Sequence, residues 1–251
     1  MSVLVYVDHA DGHVKKASFE ALTYGADVAK QSGIKAEAVL LGTVNDNLAD
    51  LGKYGITKVY QVADANLDHT DALVQASVLA EAVKAVGATV LIFSHNQSGK
   101  AVAAAVAAKL QAGIVAGAVA LPDTSNGFTV NKSVFSGKAF ASVKILSDIK
   151  IISLNPNSYK VVAGEGVAEV TPLNIPVPAG KIKVIGVNKV SGEVPLTEAE
   201  VVVSGGRGLK GPENWGLVEE LAKALHAATA CSRPVADSHW RPHHEHVGQT
   251  G

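Results

Sequence analysis

A glycine-rich segment around residue 206 contains residue types that can hold a phosphorylated cofactor. Gly206, Gly208 and Gly211 fit the spacing G-x-G-x-x-G after a β-like run and before a helical pattern that continues to about Ala228. Glycines let backbone N–H groups approach a pyrophosphate, and a helix that begins behind them adds a favourable dipole. Arg207 supplies a planar cation for a phosphate or for developing negative charge. We therefore expect a dinucleotide site, with a ligand-free turn as the alternative.

The same segment does not complete the pattern of an NAD site. Such a site has an acidic residue about 20 positions after the glycines, which binds the ribose hydroxyls. The nearest candidates are Glu219, Glu220 and Asp237, and none is well placed. A Rossmann-type NAD(P)-dependent oxidoreductase stays open as an alternative function, as does a nucleotide-binding module formed by the first half of the chain.

Three other groups of reactive residues give weaker evidence of a functional site than the glycine-rich segment does. Residues 94–101 are similar to a phosphate-binding P-loop, but the first glycine is missing and Ala101 replaces the hydroxyl that would hold Mg²⁺. Cys231 and Ser232 lie in no nucleophile-elbow pattern, so nucleophilic catalysis is not expected. A histidine-rich end of the chain has no carboxylate or thiolate partner at structural-site spacing beyond Cys231 and Glu245, so we expect a solvated loop, with a metal site as the alternative. Its histidines are His226, His239, His243, His244 and His246.

The composition is typical of a packed globular protein and argues against nucleic-acid binding and membrane insertion. Of the 251 residues, 47% are hydrophobic and 18% are charged, which is too apolar for a disordered chain. A net charge of −1 gives no basic field for a nucleic acid. The apolar run 101–121 has Lys109 near its middle and predicts a buried helix followed by a strand. A single cysteine and an N-terminus without a targeting pattern indicate a cytoplasmic location.

Short apolar runs alternate with helical patterns along the first half of the chain. Strands are expected at Val3–Val7, Ala36–Leu41, Lys58–Val62, Thr89–Ser94 and Ile114–Leu121. Helices are expected between them at about 15–32, 45–53, 70–86 and 98–111. This order is typical of right-handed βαβ units and a parallel sheet. Antiparallel strands are expected at Phe128–Phe135, Ala139–Ser147 and Lys150–Leu154, and a further strand at Lys181–Val187.

The chain is predicted to contain two α/β domains. Residues 1–190 would form an N-terminal domain with a parallel sheet and added antiparallel strands, followed by a second domain from residue 191 to residue 251. Proline-rich residues 172–180 mark an extended connection before the boundary. A parallel sheet needs several strands with both faces covered, and one βαβ unit cannot build that. We therefore expect the second domain to be the start of a larger, apparently truncated one.

Three segments in the second domain carry a resemblance to a known family. They read VVVSGGRGL at 201–209, ACSRPVAD at 230–237 and VGQTG at 247–251. Their order and spacing resemble the three flavin-contacting motifs of the electron transfer flavoprotein α-subunit. The N-terminal half is similar to the first domain of the same family, including VFSGKA at 134–139. Three motifs together are far more specific than any one alone.

The resemblance implies a fold and a function that the residue types alone do not. The second domain would be the N-terminal part of a Rossmann-like FAD-binding domain. The chain would pair with a β-subunit as a heterodimer, carry one FAD and act as an electron carrier rather than an enzyme. Its donors would be flavin dehydrogenases, such as the acyl-CoA dehydrogenases of fatty acid β-oxidation. Its acceptor would be a quinone-linked oxidoreductase.

The resemblance also implies which residues contact FAD. By motif position these are Arg207, Ser232, Arg233, Val247, Gln249 and Thr250. The Arg233 cation would lie near the flavin ring, where it stabilises the anionic reduced form and raises the reduction potential. The Thr250 hydroxyl would hydrogen-bond the ring. His246 stands where the family often has Gln.

Overall fold

The computed structural model describes residues 1–186, 196, 199 and 201–248. The chain divides into two compact units, Met1–Ile185 and Gly186–Gly251, and each has its own hydrophobic core. The domain boundary expected after residue 190 lies outside the described residues. The strand expected at Lys181–Val187 is wrong for its described part, because residues 181–186 form no strand.

The first unit is built on a mixed sheet covered by helices. Its strands are β1 (Ser2–Tyr6), β2 (His9–Ala10), β3 (His13–Val14), β4 (Lys35–Leu41), β5 (Lys58–Val62), β6 (Val90–Ser94), β7 (Gly113–Ala118), β8 (Phe128–Val134), β9 (Ala139–Ile145), β10 (Lys150–Leu154) and β11 (Glu169–Pro172). Its helices are α1 (Lys16–Ser32), α2 (Ala72–Val86) and α3 (Gln97–Leu110), with 3₁₀ turns at Leu48–Tyr54 and Ala65–Leu67. Among the described residues, nine strands form one sheet in the order β11-β5-β4-β1-β6-β10-β7-β8-β9.

Local sequence sets where these helices begin and end. The Asp71 carboxylate accepts hydrogen bonds from the backbone N–H groups of Leu73 and Val74, at 2.8 and 3.0 Å, and starts α2. Gly87, at φ +66°, ends the same helix in the left-handed conformation that favours glycine. The helix expected at 45–53 is a 3₁₀ turn instead.

Strand alternation places the core on both faces of the sheet. Val3 and Val5 of β1 pack into the cluster that includes Leu22 of α1. Leu4, between them, points to the opposite face and packs into the cluster that includes Leu79 of α2. Because both faces of β1 are covered by helices, the strand is apolar at every position, as expected for a parallel sheet.

The pairing direction of strand β10 differs from the one expected from the sequence. Its bounds, Lys150–Leu154, are as expected, but it is not antiparallel. It pairs in parallel with β6 on one side and with β7 on the other, so it lies inside the sheet. Among the described strands of the nine-stranded sheet, antiparallel pairing is limited to β7–β8 and β8–β9. Ile151 and Ile152 are fully buried on opposite faces of β10, which explains its unbroken apolar run.

The edge strand β11 was not expected from the sequence. It pairs in parallel with β5 and includes Pro172, the first of the three prolines that predicted an extended connection. A proline is tolerated there because an edge strand leaves one side of its backbone unpaired. The apolar run 101–121 forms most of α3 followed by β7, as expected. No helix in the described part of the chain is long and apolar enough to cross a membrane.

The second unit is a smaller α/β arrangement. Its strands are β12 (Val202–Gly205) and β13 (Ala228–Cys231), its helices are α4 (Gly216–Ala224) and α5 (Arg233–Asp237), and 3₁₀ turns lie at Arg207–Leu209, Pro212–Asn214 and His243–Glu245. The two strands pair in parallel. The helix expected to reach Ala228 ends earlier, because Ala228 is already the first residue of β13. The core consists of Trp215, Val218, Cys231, Val235 and Ala236.

The position of β10 inside the sheet predicts a large cost for shortening its side chains. We expect Ile152→Ala to lower the free energy of unfolding by about 2–5 kcal/mol, because it leaves a cavity in a fully buried position. Urea unfolding followed by far-UV circular dichroism measures this. Leu146→Ala is the control, because Leu146 is 85% exposed and its loss is expected to cost no more than about 0.5 kcal/mol. Equal effects of the two changes would contradict the buried position of β10.

Candidate functional site

Three chain segments lie side by side in the second unit. Gly205 of β12 pairs with Cys231 of β13, and His246 forms a further parallel bridge with Cys231. The Ser232 N–H donates to the Gly205 carbonyl at 3.0 Å, and the Val247 N–H donates to the Cys231 carbonyl at 2.9 Å. Because all three segments run in parallel, the residues that follow them leave from one edge. We call this edge, formed by 206–207, 232–233 and 247–248, the carboxyl edge.

The carboxyl edge contains most of the residues expected to contact FAD. The structure brings Arg207, Ser232, Arg233 and Val247 to it from three different segments. Gln249 and Thr250 lie outside the described residues. Arg207 and Arg233 are exposed, so two positive charges lie at the edge. The Arg233 side chain, 62% exposed, forms an ion pair with Asp237 at 3.5 Å, one turn further along α5.

The carboxyl edge also has room for a ligand. A Cβ atom at Gly206 would lie 3.7 Å from Ser232 Oγ, so glycine leaves the serine hydroxyl uncovered on that side. At Gly208 and Gly248 such an atom would meet nothing within 4 Å. Open space, exposed backbone and two arginines suit a flat anionic cofactor such as a flavin nucleotide. The described residues therefore fit FAD.

The glycine segment does not form the dinucleotide fingerprint that its spacing suggests. The helix expected after Pro212, Glu213 and Asn214 is α4, which begins at Gly216, and two 3₁₀ turns separate it from Gly206. The φ angles of Gly206 and Gly211 are −127° and −173°, which any residue can adopt. The glycines therefore do not lead directly into α4, as they do in a dinucleotide fingerprint, and the NAD(P) alternative is not favoured.

Glycine is required one residue earlier, at Gly205, for a packing reason. A Cβ atom there would lie 2.6 Å from Cη2 and 2.7 Å from Cζ3 of Trp215. The buried indole ring therefore packs directly against the backbone at the end of β12. Trp215 lies just before α4, so this contact fixes how α4 returns to the sheet. The sequence motif points to the neighbouring glycines and gives no signal for this one.

Cys231 is part of the core and not a nucleophile. Its side chain is fully buried, and burial together with the nearby Glu245 carboxylate raises the pKa of its thiol. A raised pKa keeps the thiol protonated and unreactive at neutral pH.

A cluster of charged and aromatic residues lies behind the carboxyl edge and was missed by sequence reasoning. Arg241 donates to both carboxylate oxygens of Glu245 at 2.7 Å and to Glu219 at 3.2 Å. Its guanidinium carbon also lies 5.5 Å from the centroid of the Trp215 ring. The available signal was the spacing of Arg241 and Glu245, four residues apart, but Pro242 between them argues against a helical ion pair.

The histidine-rich segment behaves as a surface segment. His239 and His243 are exposed, and their rings meet edge to face with centroids 6.3 Å apart. Among the described residues, no group of three or more histidine, cysteine or acidic side chains is arranged to hold a metal ion. The structure thus places His246 in the parallel bridge, whereas His226, His239, His243 and His244 are exposed.

The first unit gives little support to the alternative function of a nucleotide-binding module formed by the first half of the chain. Parallel α/β sheets bind ligands where the strand order reverses, which here lies between the carboxyl ends of β1 and β6. The Asp8 carboxylate lies there and accepts hydrogen bonds from Lys15 at 2.8 Å and from Asn96 at 2.9 Å. Asn96 also caps α3 by accepting from the Gly99 N–H, so residues 94–101 form a strand-to-helix loop. A phosphate would have to displace these contacts against the charge of Asp8.

Two family models match the chain. The model described as "Electron transfer flavoprotein domain" matches residues 3–178. The model described as "Electron transfer flavoprotein FAD-binding domain" matches residues 195–251, which include every segment of the carboxyl edge.

Proteins that are similar in sequence to this chain carry names that agree with the two family matches. One is an electron transfer flavoprotein subunit alpha from Syntrophomonas wolfei, 33% identical over 98% of this chain and 78% of the relative. Another, with the same name, is from Mycobacterium leprae and is 31% identical over 99% of this chain and 77% of the relative. A third, from Acetobacterium woodii, is named lactate dehydrogenase (NAD(+),ferredoxin) subunit LctC and is 26% identical over 99% of this chain and 61% of its own length.

The contact between Gly205 and Trp215 predicts that Gly205→Ala destabilises the second unit. We expect a loss of about 1–3 kcal/mol, because the added methyl group displaces a buried ring. Tryptophan emission measures it selectively, because the two tryptophans of the chain, Trp215 and Trp240, both lie in this unit. Gly208→Ala is the control, since its methyl group enters open space. An unchanged unfolding curve for Gly205→Ala would show that the ring tolerates the methyl group.

Proposed function

The chain belongs to the electron transfer flavoprotein α-subunit family, and from that premise we propose that it binds FAD at the carboxyl edge and carries electrons between partner proteins. FAD is the cofactor of the family domain that residues 195–251 match. The observation that carries the proposal is the convergence of residues 206–207, 232–233 and 247–248 on one sheet edge. These segments are the ones that resemble the flavin-contacting motifs of the family.

The side chains at this edge suit binding and tuning rather than acid–base catalysis. Ser232 presents a half-buried hydroxyl beside Gly206, where it can donate a hydrogen bond to a ring oxygen or nitrogen. Arg233, at the first turn of α5, adds a positive charge that stabilises a reduced, anionic ring. Arg207 adds a second cation at the end of β12. When bound, FAD supplies the redox-active ring itself.

The proposed partners follow from the family. The chain acts as the α-subunit of a heterodimer with a β-subunit and is an electron carrier rather than an enzyme. Its proposed donors are flavin dehydrogenases, such as the acyl-CoA dehydrogenases of fatty acid β-oxidation, and its proposed acceptor is a quinone-linked oxidoreductase. One similar protein carries a lactate dehydrogenase name that includes NAD⁺ and ferredoxin, so lactate-linked donors belong in the same test. The cytoplasmic location stays a prediction from the sequence.

Co-expression of this chain with its β-subunit tests the cofactor. We expect a yellow complex that releases about one FAD per heterodimer on denaturation, because one carboxyl edge provides one set of ring contacts. Flavin absorbance and chromatography of the released cofactor measure this. Titration with NADH is expected to give no binding, since the glycine segment forms no dinucleotide fingerprint. A complex that stays colourless after incubation with added FAD would refute the proposed function.

Replacement of Arg233 tests the tuning role. We expect Arg233→Ala to lower the one-electron midpoint potential of the bound FAD by up to about 59 mV, the equivalent of a tenfold change in equilibrium constant. The cause is the loss of a cation that favours the reduced ring. Arg233→Lys keeps the charge, and its midpoint potential is expected to lie between those of the unmodified complex and Arg233→Ala. Lys223→Ala, on α4, removes an exposed cation away from the edge and serves as the control.

Spectroelectrochemical titration of the three variants beside the unmodified complex measures the potentials. Identical potentials in the unmodified complex and in Arg233→Ala would show that this arginine does not act on the ring.

A further inference from the structure

Arg241 is the centre of an interaction cluster that includes Glu245 and, through Trp215, reaches Gly205; these residues precede two of the three segments of the carboxyl edge. Its Nε and Nη2 donate to the two carboxylate oxygens of Glu245, each at 2.7 Å. Its Nη1 donates to Glu219 at 3.2 Å, and its guanidinium lies over the Trp215 ring. Arg241 and Glu219 line a cavity together with Ala228 and Thr229, the first two residues of β13, whose other end lies at the carboxyl edge.

The ion pairs that Arg241 forms with Glu219 and Glu245 differ in burial, and this difference decides which of these two contacts fixes the local geometry. The Glu245 side chain is 7% exposed, whereas the Glu219 side chain is 54% exposed. A buried carboxylate that loses its cation remains as an uncompensated charge, which is strongly unfavourable. An exposed ion pair contributes little. The contact with Glu245 therefore fixes the geometry, and the contact with Glu219 adds little to it.

Glu245 connects the guanidinium to the third segment of the edge. It is the last residue of the 3₁₀ turn His243–Glu245, and the next residue, His246, forms the parallel bridge with Cys231. Val247 then donates its N–H to the Cys231 carbonyl. A bidentate arginine contact restricts both the position and the rotation of a carboxylate. The ion pair thus fixes where residues 247–248 leave the sheet.

Trp215 connects the same guanidinium to the first segment. The ring packs against Gly205, directly before Gly206 and Arg207. Its indole N–H finds no acceptor among the described residues, so no hydrogen bond orients the ring there. Packing and the cation above its face are the contacts that hold it. A shift of Arg241 would therefore move the ends of both β12 and the His246–Val247 segment.

We infer that Arg241 is a positioning residue of the FAD site, which sets the spacing between the Gly206 and Val247 segments through Trp215 and Glu245 without touching the cofactor. The inference rests on the proposed function and deepens it. It assigns a role to an interaction behind the edge that the flavin-contacting motifs do not include.

Substitutions of Arg241 in the co-expressed complex with the β-subunit test the inference. Arg241→Lys keeps the charge but cannot bind both carboxylate oxygens in the same fork, and Arg241→Gln removes the charge. We expect the Kd for FAD to rise at least about tenfold in both variants, and the visible circular dichroism of the bound flavin to change. For Arg241→Lys we expect the thermal unfolding midpoint to stay close to that of the unmodified complex, because the buried carboxylate keeps a cation.

Glu219→Gln is the matched control, because it removes an acceptor of the same guanidinium at an exposed position. Its Kd for FAD and its flavin spectrum are expected to be unchanged. The inference is overturned if both Arg241 variants bind FAD within twofold of the unmodified complex. It is also overturned if FAD loss follows unfolding in every variant, including Arg241→Lys, because that result indicates a stability role alone. An unmodified complex that holds no FAD refutes the proposed function itself, and the inference with it.

Discussion

Parallel pairing of backbone segments is the constraint on which this protein depends most. In a parallel sheet the hydrogen bonds run between strands that point in the same direction, so their carboxyl ends must meet at one edge. In the second unit this rule applies to β12, β13 and the His246–Val247 segment. Residues that are far apart in the sequence, such as Arg207, Ser232 and Val247, thereby become neighbours. Without the parallel arrangement the same side chains would face different directions and could not act on one ligand.

The second unit maintains this arrangement with a small core. Its buried hydrophobic residues are few, and the largest of them, Trp215, packs directly against the backbone of Gly205. A small core buries little apolar surface, so polar interactions take a larger share in fixing the geometry. Burying a polar group has a free-energy cost, and the buried Glu245 carboxylate illustrates it, because its charge is tolerable only while Arg241 is bound to both of its oxygens. Such an interaction adds little net stability but restricts the number of arrangements that the segment can adopt.

Much of the first unit could be predicted from the sequence. The helices α1, α2 and α3 and most strands lie within a few residues of their expected bounds, because strong apolar periodicity and local caps such as Asp71 and Gly87 set them. The direction of β10 could not be predicted. Its sequence fits a buried strand of either direction, and only the positions of β6 and β7 decide which neighbours it has. The weak edge strand β11 was missed because it has little apolar patterning of its own and depends on β5 for its hydrogen bonds.

The sequence by itself determined the family and the FAD cofactor, because short motifs preserve residue types and spacing along the chain. Which residues contact FAD stays a prediction from the same motifs. It also suggested a glycine fingerprint that does not form, since the spacing of Gly206, Gly208 and Gly211 cannot report the 3₁₀ turns that separate these glycines from α4. Only the tertiary structure decided that Gly205 is the glycine that packing requires, and that Arg241 lies against both Trp215 and Glu245. These facts depend on contacts between segments whose relative positions are set by sheet pairing and burial. No local pattern in the chain records them.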